Sequence, residues 1–392
     1  MATLEVNIAG VKLRNPLILA SATPSWDGER SNQAWQAGAG AVVPKSFGPP
    51  ATWAQHPRCG RMKLVKSGKK RIGMINIELY TTMPLQEWLD RELGKAHAGG
   101  AALIASVVAQ PDPEETAKNA KMIGDTGKVI MFEINVSCPM PLGSDQVGFQ
   151  MGNDPEMCFR QVEAVKKAVN QPVGIKLTPT SPNMVPMAEA AAKAGADSLT
   201  IANSVRSFAG VDIKTGRPRL AAYGGYSGSA IKPITQRHVS EVARAVDVPI
   251  QAVGGISTWE DVVEYIMLGA SAVQICTSIM WNGYEHFQKI LDGLTEYMQQ
   301  EGIDSLESIR GKTLPYIKTI EDLAQEPPKV AQVDPEVCTN LKKGGCELCR
   351  PVCFYGAIRF DPKLSLIQEN CDGCGLCTEI CPVGALAMVM SE

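Results

Sequence analysis

Eight of the twelve cysteines fall between positions 338 and 381. The last four read Cys371-x2-Cys374-x2-Cys377-x3-Cys381-Pro382, the spacing in which three thiolates hold one [4Fe–4S] cluster and the fourth serves another. A near-copy lies upstream as Cys338-x7-Cys346-x2-Cys349-x3-Cys353. Together the runs predict one cluster on Cys338, Cys346, Cys349 and Cys381, and a second on Cys371, Cys374, Cys377 and Cys353. Zinc is the alternative, but zinc knuckles use two C-x2-C pairs per ion and have no need of this run and its copy. Similar segments, FYGAIRFDP (354–362) and VGALAMVM (383–390), follow the two runs, so this region is an internal duplication with one half per cluster. Clusters move electrons singly and do no bond chemistry themselves. Some other part of the chain must use those electrons.

Further polar residues stand at the ends of apolar runs: Lys45, Asn135 and Cys138, Lys176, Asn203 and Ser204, Gly254 and Gly255, Cys276 and Thr277. The runs themselves read as eight buried strands at 16–22, 41–47, 102–109, 129–138, 172–179, 198–205, 249–256 and 272–279. Amphipathic helices are expected between them at 154–169, 183–195, 231–246 and 258–269, and a last one at 283–302. Eight such units predict a (β/α)8 TIM barrel, an α/β fold whose chemistry gathers at the C-terminal strand ends. A doubly wound sheet would announce its nucleotide with a glycine-rich loop after strand one, where this chain has SATPSWDG. The glycines closing strand seven and the loop 223–228 (YGGYSG) offer bare backbone N–H groups, the means by which barrels hold a phosphate.

The division expected is a barrel over 1–318 preceded by a β-hairpin plug, a proline-bearing linker at 319–334, and an α+β two-cluster ferredoxin-like domain at 335–392. Thirty-eight basic against 41 acidic residues give a net charge of −3, which offers no field for nucleic acid. No apolar stretch approaches a membrane span, and the N-terminus has no signal-peptide pattern, so a cytoplasmic protein is expected.

The motifs N-x-S-C-P on strand four, K-L-T-P on strand five, G-G-x-S-G before a helix and G-G-I on strand seven resemble the dihydroorotate and dihydropyrimidine dehydrogenases. With its cysteine-rich end, the chain is most similar to the iron–sulfur- and FMN-containing, pyrimidine-reducing members of that group. The resemblance implies FMN in the barrel, with Ser21, Lys45, Ser46, Asn76, Asn135, Lys176, Gly225, Ser227, Gly228, Gly254, Gly255, Cys276 and Thr277 around it. It implies Cys138 as acid/base, and Asn76, Glu78, Asn135, Asn203 and Ser204 on the edges of a pyrimidine such as uracil or thymine. Glu78, and Met140 in place of an asparagine, argue against orotate. Tyr80, Thr180 and the loop 140–151 depart from the family's pattern. The other readings are therefore a different cyclic amide or imide, hydantoin-like or dihydroorotate, and an electron-transfer subunit of a larger complex. The chain has no G-x-G-x-x-G loop, so the resemblance also implies a separate FAD- and NAD(P)H-binding reductase subunit or other electron donor or acceptor, and an oligomer.

Overall fold

A computed structural model describes residues 3–48, 59–138 and 151–391. The chain divides into two compact units, Met1–Pro315 and Tyr316–Glu392. The larger is built on eight parallel strands: β1 (Leu17–Leu19), β2 (Ala41–Val42), β3 (Ile104–Val108), β4 (Met131–Asn135), β5 (Val173–Lys176), β6 (Ser198–Ile201), β7 (Ile250–Val253) and β8 (Ala270–Ile275). Hydrogen-bonded neighbours run in the order β2-β1-β8-β7-β6-β5-β4-β3. Parallel bridges from Val42 to Leu103 and from Phe47 to Val107 bring the two edges together, so the sheet is a TIM barrel. Its strands are short and almost wholly buried, which is why they read as continuous apolar runs without alternation.

All eight strands stop short of their expected ends, two of them for evident local reasons. The run expected at 129–138 leaves the sheet after Asn135, whose Oδ1 accepts from both Ser137 N (3.1 Å) and Ser137 Oγ (3.0 Å) and folds the backbone outward. The run expected at 272–279 begins at Ala270 and stops at Ile275, because Thr277 opens a short helix, Thr277–Asn282. Between strands, helices Pro113–Gly124, Pro155–Ala168 and Trp259–Met267 start at side-chain caps from Asp112, Asp154 and Thr258.

The hairpin of Val6–Ile8 and Val11–Leu13 turns at Ala9 and Gly10, both at positive φ. It buries Ile8 and Leu13 against Ile18, Ala41, Val43, Ile104, Met131 and Ala272, which closes the floor of the barrel with apolar side chains. Insertions after β2 and β6 contribute a four-stranded antiparallel sheet with the strands in the order Val205–Ser207, Gly224–Ser227, Lys70–Asn76 and Met62–Ser67. Asn76, Met74, Met62 and Ser227 of this sheet line the cavity at the C-terminal strand ends.

In the smaller unit, two antiparallel pairs repeat one plan. Ile358–Phe360 pairs with Leu364–Leu366, and Lys329–Val333 pairs with Leu386–Met390. The stretch expected as a linker, 319–334, thus contributes a strand to this sheet and also a helix, Ile320–Ala324. The K-V-A-Q-V segment buries the adjacent Val330 and Ala331. No helix of the described residues is long and apolar enough to cross a membrane.

Candidate active site

A cavity opens at the C-terminal ends of the strands. Almost every barrel residue singled out above lines it: Ser21 from the end of β1, Lys45 and Ser46 beyond β2, Asn135 and Cys138 from β4, and Lys176 from β5. Asn203 and Ser204 follow β6, Gly254 and Gly255 follow β7, and Cys276 and Thr277 follow β8. Asn76, Glu78, Ser227 and Gly228 come from the antiparallel sheet and its flanks. Gly225 does not line it. Its carbonyl instead accepts from Asn76 Nδ2 at 3.3 Å and fixes that amide at the cavity wall. Met140 and most of the loop 140–151 lie outside the described residues.

A chain of hydrogen bonds sets the amides. Asn135 Nδ2 donates to Ser46 Oγ (3.1 Å), which also contacts Ser106 Oγ (2.8 Å) and Ser21 Oγ (3.1 Å). Asn203 Nδ2 donates to Ser137 Oγ (3.0 Å), itself a donor to Asn135 Oδ1. Two asparagines on separate strands are thereby held in register by one buried serine.

Both lysines face carboxylates. Lys45 Nζ lies 3.8 Å from Glu78 Oε2, and Arg61 Nε donates to Glu78 Oε1 at 2.6 Å. Burial pushes the Lys45 ammonium below its ordinary range, opposed by the attraction of Glu78. Lys176 Nζ donates to Gln274 Oε1 (3.2 Å) and lies 3.6 Å from Glu133 Oε1. Cys138 is buried beside Tyr80 in one cluster. Burial, reinforced by the neighbouring thiol, pushes the Tyr80 phenol well above its ordinary range, so its hydroxyl keeps its proton. Burial also raises the Cys276 thiol to about 11, against the pull of Lys45 and Lys176.

Gly254 and Gly255 stand at φ +146° and +78°, where a Cβ would come within 2.4 Å of Thr235 Oγ1 and 2.6 Å of Lys232 Cβ. A Cβ on Gly228 (φ +97°) would come within 2.7 Å of the Gly73 backbone. Side chains are excluded at all three positions, leaving bare backbone around Ser227 and Thr277, whose hydroxyls are 2.9 Å apart. That cradle fits a phosphate, and the two lysines and three amides deeper in the cavity fit the polar edge of an isoalloxazine ring.

In the smaller unit the cysteines form two groups. Burial raises Cys349 to about 11, and Cys338, Cys346 and Cys377 lie close enough to act on it. Burial likewise raises Cys377, with Cys371, Cys374 and Cys353 as its neighbours. Cys353, Cys371, Cys374 and Cys377 line one small cavity together with Ala331, Ile358 and Met388. Backbone N–H groups of Ala331 and Ala385 donate to Cys371 Sγ (3.3 Å) and Cys381 Sγ (3.2 Å), contacts of the kind that tune cluster potentials. Among the described residues, no three cysteine, histidine or acidic groups converge as tightly as a single metal ion requires.

Several residues of the site carry no motif. Gln274 and Glu133 lie two residues before Cys276 and Asn135 on their strands, so the period of two places each on the same face one pleat deeper. Arg61 approaches Glu78 only because the antiparallel sheet folds back over the barrel, and no local pattern marks it.

A barrel closed in this way, with a glycine cradle, two buried lysines and strand-end amides, defines a flavin oxidoreductase. A model of the dihydroorotate dehydrogenase family matches residues 3–298, and one of the 4Fe-4S binding domain matches residues 364–387. The chain belongs to the dihydroorotate dehydrogenase family. Its enzymes are oxidoreductases acting on CH–CH bonds, and its cofactors here are FMN and [4Fe–4S] clusters. It is 39% identical to the catalytic subunit of dihydroorotate dehydrogenase B (NAD(+)) of Methanothermobacter thermautotrophicus, covering 79% of this chain and 97% of that one. It is 32% identical to the NAD-dependent dihydropyrimidine dehydrogenase subunit PreA of Escherichia coli K12, covering 98% of this chain and 95% of that one. A crystal structure of the dihydroorotate dehydrogenase of Eimeria tenella with ferulenol superposes with a TM-score of 0.66 at 20% identity, covering 80% of this chain and 89% of that one.

Proposed function

We propose that this enzyme interconverts a pyrimidine, uracil or thymine, and its 5,6-dihydro form. The observation that carries the reading is Glu78, a buried carboxylate on the cavity wall between Asn76 and Tyr80. As a charged acceptor among amide groups it suits the ring N–H of a neutral imide, while Lys45 and Arg61 offset its charge. Extent of likeness supports the same reading, because the dihydropyrimidine dehydrogenase subunit is similar over the two-cluster unit as well as the barrel.

FMN, held between the glycine cradle and the two lysines, would supply hydride exchange at the ring carbon C6 and one-electron chemistry toward the clusters. Asn76, Asn135 and Asn203 hold the polar edges of the substrate, and Ser204 closes the same side. Cys138 gives the proton to C5 in reduction and takes it in oxidation. Lys45 and Lys176 stabilise negative charge at the polar edge of the flavin site. Cys338, Cys346, Cys349, Cys381, Cys371, Cys374, Cys377 and Cys353 would hold the two clusters, which would supply one-electron transfer to a separate subunit that binds FAD and NAD(P)H. Both relatives are themselves named as subunits.

Anaerobic mixing of the holoprotein with dihydrouracil, dihydrothymine and dihydroorotate tests the substrate. Bleaching of the flavin by the first two alone is expected. Bleaching by dihydroorotate alone, or by none of the three with FMN bound, overturns the reading. NADH or NADPH oxidation by this chain on its own would overturn the partner.

A further inference from the structure

TIM-barrel interiors are filled mainly by branched apolar side chains, and a charge there stands out. In this barrel Glu133 of β4 is 1% exposed and is not among the residues lining the cavity. Its Oε2 accepts from Thr200 Oγ1 of β6 (2.8 Å) and Gln274 Nε2 of β8 (2.6 Å). Its Oε1 has no hydrogen bond and faces Lys176 Nζ of β5 at 3.6 Å. Gln274 spans the pair, donating to Glu133 through its nitrogen and accepting from Lys176 through its oxygen. Gln251 of β7 completes the layer by accepting from Gln274 Nε2 at 3.1 Å.

A glutamine at 133 could accept the hydrogen bonds from Thr200 and Gln274 without carrying a charge. The charge therefore acts on something that responds to charge, and the cation facing it is Lys176, which does line the cavity. We propose that Glu133 is a positioning residue that sets the flavin's reduction potential through Lys176. It orients the ammonium from below and offsets part of its field. Because the carboxylate is enclosed by protein, water screens this interaction weakly. The inference rests on the flavin site rather than on the substrate reading, and its test contains no substrate, so the two fail separately.

Glu133→Gln leaves the Lys176 charge uncompensated and stabilises the anionic reduced ring. The flavin midpoint of the holoprotein, followed by spectroelectrochemistry with the clusters monitored in parallel by EPR, is expected to rise. A change of about tenfold in the ratio of reduced to oxidised flavin at fixed applied potential corresponds to about 30 mV for a two-electron couple. In a Lys176→Met background the same substitution is expected to have a much smaller effect, because the charge through which it acts is gone. Glu133→Asp keeps the charge but draws it away from Lys176, so a smaller rise is expected. An unchanged potential in Glu133→Gln with FMN bound overturns the proposal, as does an equal shift in the Lys176→Met background. If Glu133→Gln does not fold, Glu133→Asp decides by the same criterion. Failure of both to fold overturns the proposal by assigning the carboxylate to barrel stability.

Discussion

Cys138 and Tyr80 form a buried pair in which the phenol keeps its proton. The thiolate is the form that can take a proton from a ring carbon. Cys138→Ala is expected to lower turnover on the order of 10²- to 10⁴-fold while leaving flavin and cluster spectra unchanged. Tyr80→Phe, which removes the protonated hydroxyl beside Cys138, is expected to slow alkylation of Cys138 by iodoacetamide at fixed pH. An unchanged rate would assign Tyr80 to packing with Ile75, Ile77, Val108 and Leu220. At this scale the legible residues are those with motifs: Asn135 and Cys138 share one, Lys176 opens another, and the cluster cysteines are marked by spacing alone. Tyr80 is visible in sequence only as a departure from the family's pattern. Its contact with Cys138 depends on how the chain after β2 crosses the barrel mouth, which no short-range pattern encodes.

Elements turn those residues into a site, and one tight requirement falls where β7 meets the helix Lys232–Ala245. Gly254→Ala would force a Cβ against Thr235 Oγ1 at a φ that L-residues rarely adopt. The expected result is a lower ratio of FMN to protein after desalting, with far-ultraviolet circular dichroism preserved. The same helix carries His238, which is fully buried and lowered to about 4, first by burial and then by the charge of Arg237. Between pH 6.5, the ordinary value, and about 4, the unfolded chain binds a proton that the folded helix does not. Stability therefore falls as pH drops through that window, by on the order of 3 kcal/mol if the full shift is expressed. Urea unfolding at pH 7 and pH 4.5 should show a gentler fall in His238→Gln than in the unaltered protein. The barrel strands were legible because apolar runs of strand length alternate with amphipathic helices. Their ends were not, because Asn135 and Thr277 leave the sheet through side-chain hydrogen bonds and a helix start that apolar periodicity does not register. The strand Lys329–Val333 was missed for a different reason: its partner, Leu386–Met390, lies more than fifty residues later in the chain.

The whole molecule combines a unit for bond chemistry with a unit for electron relay, and this division can be tested by damaging one and assaying the other. Cys377 is buried with Cys353, Cys371 and Cys374 around one cavity, whereas Cys349 sits with Cys338 and Cys346. Cys377→Ser should remove one cluster, taking iron from about eight to about four atoms per chain. Flavin bleaching by a dihydropyrimidine should persist, because that half-reaction needs only the barrel residues and FMN. Steady-state turnover with the proposed nicotinamide-oxidising partner should be lost, because electrons would then lack a complete path to it. Loss of bleaching in this variant, with FMN still bound, would mean that the small unit shapes the substrate site directly. Turnover that survives with one cluster would mean that the partner delivers electrons by a route bypassing the damaged half of the duplication.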